Sequence, residues 1–124
     1  MEHDKQVYTA GRRSHGFDAE EGPRLRGLGG EVHEIGRGGL VTWHGPGQLC
    51  IYPILNLECF QKSMRWYVQK LESILIRACS SFDLPVHGGM GFDNRVGVWT
   101  ASNRKIGFIG IKNTRWVTSF GASL

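Results

Sequence analysis

The segment SMRWYVQKLESILIRACS, residues 63–80, carries the one strong helical signal in a chain otherwise patterned for strands. Met64, Tyr67, Val68, Leu71, Ile74, Leu75, Ala78 and Cys79 fall on one apolar stripe at helical spacing. Ser63 stands where a side-chain oxygen can accept from an orphan helix N–H, and Pro85 marks where the chain has already left the helix. Such a helix must lay its stripe on something apolar, and the flanking segments offer a sheet.

Upstream, QVYTAG (6–11) and EVHEI (31–35) alternate as short strands. Between them, RRSHGFDAEEGPRLRG (12–27) is polar and turn-rich and reads as an exposed loop. Leu40, Thr42 and His44 share one face of a further strand, with Val41 and Trp43 on the other. QLCIYPIL (48–55) reads as a strand whose Pro53 belongs at an edge or a bulge. After the helix comes a glycine-rich turn at 88–91. RVGVWT, RKIGFIGI and RWVTSF then follow as three strands, the first two joined by the turn ASN. Strands, one helix, then strands define an α+β fold with a mixed or antiparallel sheet, expected as a single domain over residues 1–124.

The chain holds 124 residues, with 40% hydrophobic and 21% charged, which is globular composition with room for one modest core. Its net charge of +4 suits an acidic partner without selecting one. Four tryptophans and the arginines raise nucleic-acid binding, yet no nucleic-acid motif accompanies them. Cys50, Cys59 and Cys79 are odd in number and lack CxxC spacing, which argues against zinc ligation and a disulfide framework and for a reducing compartment. No run is long enough to cross a membrane. The opening MEHDKQVYTAG has neither a signal-peptide core nor transit-peptide character.

Glycine is in excess at 18 residues, clustered at 27–30, 36–39, 45–47 and 88–91. The stretch RGGLVTWHGPGQL (37–49) has more glycine than a hairpin requires. Glycines beside a strand let a ligand meet bare backbone. The stretch matches neither the phosphate-binding loop nor the dinucleotide fingerprint. A purely structural reading, two tight turns and a bulge, stands beside the binding reading, and His44 alone is as well explained as a hydrogen-bonded structural residue. Lys105 opens an otherwise apolar strand near glycines, where it can stabilise a neighbouring anion or simply snorkel into water.

RGGLVTWHGPGQLCIYPILNL (37–57), followed by GVWTASNRKIGFIGI (97–111), closely resembles the lipoyl(octanoyl) transferases of protein lipoylation. Arg37, Gly38, Gly39, Thr42, Trp43, His44, Gly45, Pro46, Gly47, Gln48 and Asn56 fill the fixed positions of that family's first motif, and VYTAGRR matches its early strand. The resemblance implies the mixed sheet with packed helices shared with biotin- and lipoate-protein ligases. It implies transfer of an octanoyl group from acyl carrier protein, through a cysteine thioester, to a lysine on lipoyl domains of 2-oxo acid dehydrogenases and glycine-cleavage protein. Such a reaction calls for no cofactor and no metal, and no nucleic-acid or membrane partner is expected. Carried over, Arg37, Gly38, Gly39, Leu40, Val41, Thr42, Trp43 and His44, with Phe108, Ile109 and Gly110, border the acyl pocket. Lys105 lowers the pKa of the nucleophilic cysteine. Eukaryotic members being mostly mitochondrial, a mitochondrial location is expected, or the cytoplasm for a bacterial chain.

The chain departs from that pattern in two places. The family continues Thr-Ser-His-Gly-Leu-Ala after its lysine strand, whereas here Phe120 takes the histidine position, with Gly121 and Ala122 completing the substrate-lining triplet. The family nucleophile lies in a Pro-Cys-Gly tripeptide, and none of the three cysteines has that context. The expectation is therefore a partial domain, truncated at both ends and inactive alone. The alternatives are a non-catalytic module binding acyl carrier protein or lipoyl domains, and a lipoate- or biotin-protein ligase, which would need a nucleotide site.

Overall fold

In the computed structural model the described residues are 1–14, 17–89 and 95–124. They divide into two compact units, Met1–Cys50 and Ile51–Leu124.

In the first unit β1 (Val7–Ala10) is the central strand. It pairs in parallel with β2 (Glu31–Glu34) and antiparallel with β3 (Thr42–His44). A parallel pair needs a crossover, usually helical, and α1 (Phe17–Gly27) supplies it. The loop expected over 12–27 is therefore corrected to a helix over most of its length. The segment hides its helicity because it has no apolar stripe and carries Pro23 internally. Among its described side chains, Leu25 is the one buried apolar residue, packing with Ala10, Tyr8 and Val32. Arg24 and Glu21 pair at 2.8 Å one turn apart on the exposed side. The helix ends at Gly27, and in the turn that follows Gly29 has a φ of +82°, which favours glycine. Gly30 then passes so close under the Tyr8 ring that a Cβ would strike it.

In the second unit the sheet runs β4 (Cys50–Ile51, of which Ile51 lies here), β8 (Val117–Ser123), β7 (Lys105–Thr114), β6 (Val98–Thr100) and β5 (Val86–Gly88). Neighbours from β5 to β8 are antiparallel. With the first unit's mixed sheet, this is the expected α+β architecture. The expected strand at 48–55 shrinks to Cys50–Ile51, because Pro53 cannot donate to a ladder. Thr118 holds the following segment instead. Its hydroxyl donates to the Pro53 carbonyl and accepts from the Leu55 N–H, each at 3.0 Å.

Helix α2 (Met64–Ser80) starts at Ser63, whose hydroxyl accepts from the Trp66 N–H at 3.2 Å. It lies on β5, β6 and β7. Its buried stripe is Tyr67, Val68, Leu71, Glu72, Leu75 and Cys79. Ile74, expected on that stripe, is 54% exposed, while Glu72 is buried to 4%. Leu57, Tyr67 and Leu71 form one core with Ile109, Ile111 and Trp116 around them. Leu75, Val98 and Ala122 form the other. The Ala101–Asn103 turn joins β6 to β7 as expected, with Asn103 at φ +60°. Of the turn at 88–91, residues 90 and 91 lie outside the described residues. No described helix is long and apolar enough to cross a membrane.

Candidate functional site

The glycine-rich stretch of the first unit is built on hydrogen bonds that run inward. Arg37 is 6% exposed. Its NH2 donates to the Thr9 carbonyl at 2.6 Å and the Thr9 hydroxyl at 2.7 Å, and its NH1 donates to the Gly38 carbonyl at 2.9 Å. Gly11 leaves room for this, since a Cβ there would collide with the Gly39 carbonyl and stand 2.8 Å from Arg37 NH1. The N–H groups of Gly11, Arg12 and Arg13 donate to the carbonyls of Leu40, Arg37 and Gly39, stitching the end of β1 to the loop.

His44 continues the network from β3. Its Nδ1 lies 2.6 Å from Gln48 Oε1 and its Nε2 lies 3.2 Å from the Thr9 hydroxyl. A carboxamide oxygen only accepts, so Nδ1 carries the proton and Nε2 accepts from Thr9. The Gln48 amide is itself oriented by donating to the Trp43 carbonyl at 3.3 Å. The chain of donors is thus Arg37 to Thr9 to His44 to Gln48, with one consistent direction. Burial pushes the His44 imidazole below its ordinary value, and the charges of His3 and Arg37 add to this against the Gln48 hydrogen bond. Cys50 Sγ sits 3.5 Å from His44 Nδ1, buried.

What this frame presents outward is apolar. Leu40 is 60% exposed, Trp43 41% and Val41 37%, while Thr42 is half-buried. Trp43 folds over Gly45, where a Cβ would collide with the indole. Gly39 and Gly47 have φ of +95° and +84°, so both bends need a residue without a Cβ. Leu40 lies outside β3, so the expected strand face keeps only Thr42 and His44.

In the second unit Lys105 opens β7, half-buried, with Nζ 5.4 Å from the Trp99 ring centre and 5.2 Å from that of Phe108. Both distances suit attraction of the ammonium to the rings. Trp99 also carries Arg95 at 4.4 Å and donates its indole N–H to the Arg95 carbonyl. Ile109 and its register partner Ala122 belong to the core beneath α2. Gly110 pairs with Gly121 one step along. Gly121 is close-packed by its own chain, since a Cβ there would run into the Ile51 carbonyl and lie 2.7 Å from Pro53 Cδ. Phe120, half-buried, has φ +57°, a left-handed conformation that Asn, Asp and His enter more readily than Phe.

Each unit thus gathers its own candidates: Arg37 to His44 in the first, and Lys105 with Phe108 in the second. Sequence reasoning missed Thr9, which ties Arg37 to His44, because a strand threonine has no distinguishing context. It also missed Trp99 beside Lys105. Glu72 left a readable signal, a carboxylate in step with Val68 and Leu75.

This fold recurs in solved structures. Protein Ta0514 of T. acidophilum, solved with lipoic acid bound, aligns over 99% of this chain and 51% of its own at a TM-score of 0.73 and 14% identity. P. falciparum LipL1 in complex with lipoate aligns over 98% of this chain and 33% of its own at a TM-score of 0.69 and 14% identity. The chain belongs to the lipoyl protein ligase A/B catalytic domain family, whose model matches residues 1–124. It is 46% identical over 118 residues, 95% of this chain and 50% of the relative, to the mitochondrial octanoyl-[acyl-carrier-protein]:protein N-octanoyltransferase LIPT2 of Danio rerio. It is 40% identical over 122 residues, 95% of this chain and 49% of the relative, to an octanoyltransferase of Nostoc punctiforme. The chain spans about half the length of these curated relatives.

Proposed function

We infer that residues 1–124 are the acyl-holding and lysine-bearing part of an octanoyltransferase acting in the mitochondrion. The acyl donor is octanoyl-acyl carrier protein. The acceptors are lysines on lipoyl domains of 2-oxo acid dehydrogenases and on glycine-cleavage protein. A cysteine thiolate attacks the thioester carbonyl and releases the carrier thiol. The acceptor lysine amine then displaces that cysteine, leaving an amide and the free thiol. On the family resemblance, acyl contact is assigned to the Arg37 to His44 stretch within the first unit and, separately, to Phe108, Ile109, Gly110, Phe120, Gly121 and Ala122 within the second, where the Lys105 ammonium favours the thiolate. The observation that carries this reading is the half-buried Lys105 ammonium within 5.4 Å of two aromatic rings, in a chain 46% identical to a named octanoyltransferase.

Disrupting the encoding gene and weighing the lipoyl domains by mass spectrometry tests it. Loss of octanoyl and lipoyl groups is expected, restored by the native gene and not by a Lys105→Met copy. Unchanged modification would overturn the reading.

The three cysteines within these residues do not supply the nucleophile. Cys50 and Cys79 are buried, burial pushes the Cys79 thiol up, and exposed Cys59 sits on a 3-10 turn outside any Pro-Cys-Gly context. Incubated with octanoyl-acyl carrier protein, residues 1–124 are expected to gain no octanoyl mass, and an adduct on any of the three would refute this. That same feature, with the net charge of +4, favours a second reading: a module that holds an acidic carrier protein without turnover. A salt-sensitive complex without transfer, in cells whose lipoylation is intact after gene disruption, would select it.

A further inference from the structure

A carboxylate buried on the core face of a helix is costly unless hydrogen bonds compensate for the lost water. Glu72 is such a residue, 4% exposed in the middle of α2 among Val68, Leu71 and Leu75. Its Oε1 accepts the Gly97 N–H at 2.8 Å, in a buried bond spanning 25 residues of sequence. Its Oε2 fills the space above Gly88, where a Cβ would stand 2.8 Å from it. The Gly97 carbonyl in turn accepts from the Gly89 N–H at 3.0 Å. The helix therefore grips the chain just before β6 at Gly97.

Gly97 has two properties that make this grip consequential. Its φ is +125°, open to glycine and strained for other residues. A Cβ at this position would also collide with Lys105 Cε and lie 3.1 Å from Lys105 Nζ. The bare Cα of Gly97 is thus the surface on which the end of the Lys105 side chain rests, between Trp99 and Phe108.

We propose that Glu72 is a positioning residue for Lys105, acting through Gly97. The carboxylate fixes where Gly97 stands, Gly97 fixes the space open to the lysine stem, and the aromatic rings hold what enters that space. The consequence for transfer chemistry rests on the role given to Lys105 above; the placement itself does not.

The test is NMR of residues 1–124 with labelled lysine. In the native chain, nuclear Overhauser contacts are expected between the Gly97 α protons and the Lys105 ε protons, together with ring-current displacement of those ε protons. Absence of the contacts overturns the proposal whether or not any variant folds. In Glu72→Ala and Gly97→Ala the displacement is expected to fall by more than half, and the rate of Lys105 acetylation relative to Lys112 in the same sample to change at least threefold. Glu72→Gln keeps an accepting oxygen and is expected to retain the native displacement and rate ratio. Native Lys105 signals and ratios in a folded Glu72→Ala protein would overturn the proposal. If Lys105→Met leaves lipoylation intact in cells while these NMR contacts stand, the transferase role fails and the placement survives.

Discussion

His44 shows how one side chain can be both motif and scaffold. The donors running from Arg37 through Thr9 into its Nε2 need the neutral ring, and burial lowers its proton affinity. The unfolded chain then takes up a proton near the ordinary histidine value of about 6.5 before the folded chain does. Stability is therefore full above that value, falls as the pH drops below it, and stops falling once the pH is beneath the folded value. Urea midpoints at a series of pH values should show this fall, reduced in His44→Gln. Thr118 makes a second case. Fully buried, its hydroxyl serves both the Pro53 carbonyl and the Leu55 N–H. Thr118→Val leaves both without that partner and should cost about 1–3 kcal/mol by chemical denaturation. Arg37 and His44 were legible because glycines surround them. Thr9 and Thr118 were not, because their importance lies in partners 28 or more residues away.

Helix α2 was legible to its first residue, cap included, since apolar spacing and a serine N-cap are both local signals. One position on each side of its stripe was not. Ile74 is left outside and Glu72 drawn in because Gly97 rewards the carboxylate with a bond. Stability measurements can separate the two faces. Leu71→Ala should cost about 2–5 kcal/mol, whereas Ile74→Ala should stay within about 0.5 kcal/mol. Ser63→Ala should cost about 1 kcal/mol through the lost cap. Helix α1 was illegible because tertiary connection creates it: β1 and β2 run parallel, and only a crossover joins them. The β7–β8 turn is a similar case. Arg115 and Trp116 both have positive φ, at 48° and 65°, in a two-residue loop that ordinarily takes Asn-Gly. The strand read from Arg115 therefore begins at Val117. Packing of Trp116 against the Leu57, Tyr67 and Leu71 core offsets the backbone strain.

At the scale of the molecule, the α+β class and the family were readable from order and motif, while the division into two compact units was not. That division follows from which strands pair, and pairing between distant segments leaves no mark in local spacing. The thiols report on the folded whole. Brief alkylation of the native protein should modify Cys59 alone, with Cys50 and Cys79 reacting only after denaturation, as peptide mass spectrometry would show. Finally, the ribbon of β7 and β8 joins seven residue pairs across a two-residue turn. Closing so short a loop forfeits little chain entropy, and contacts close in sequence form fast. This hairpin should nucleate folding, with α2 docking onto it afterwards. Lesions at the turn should therefore slow refolding, whereas lesions in the Thr118 clasp on residues 53–55 should chiefly hasten unfolding.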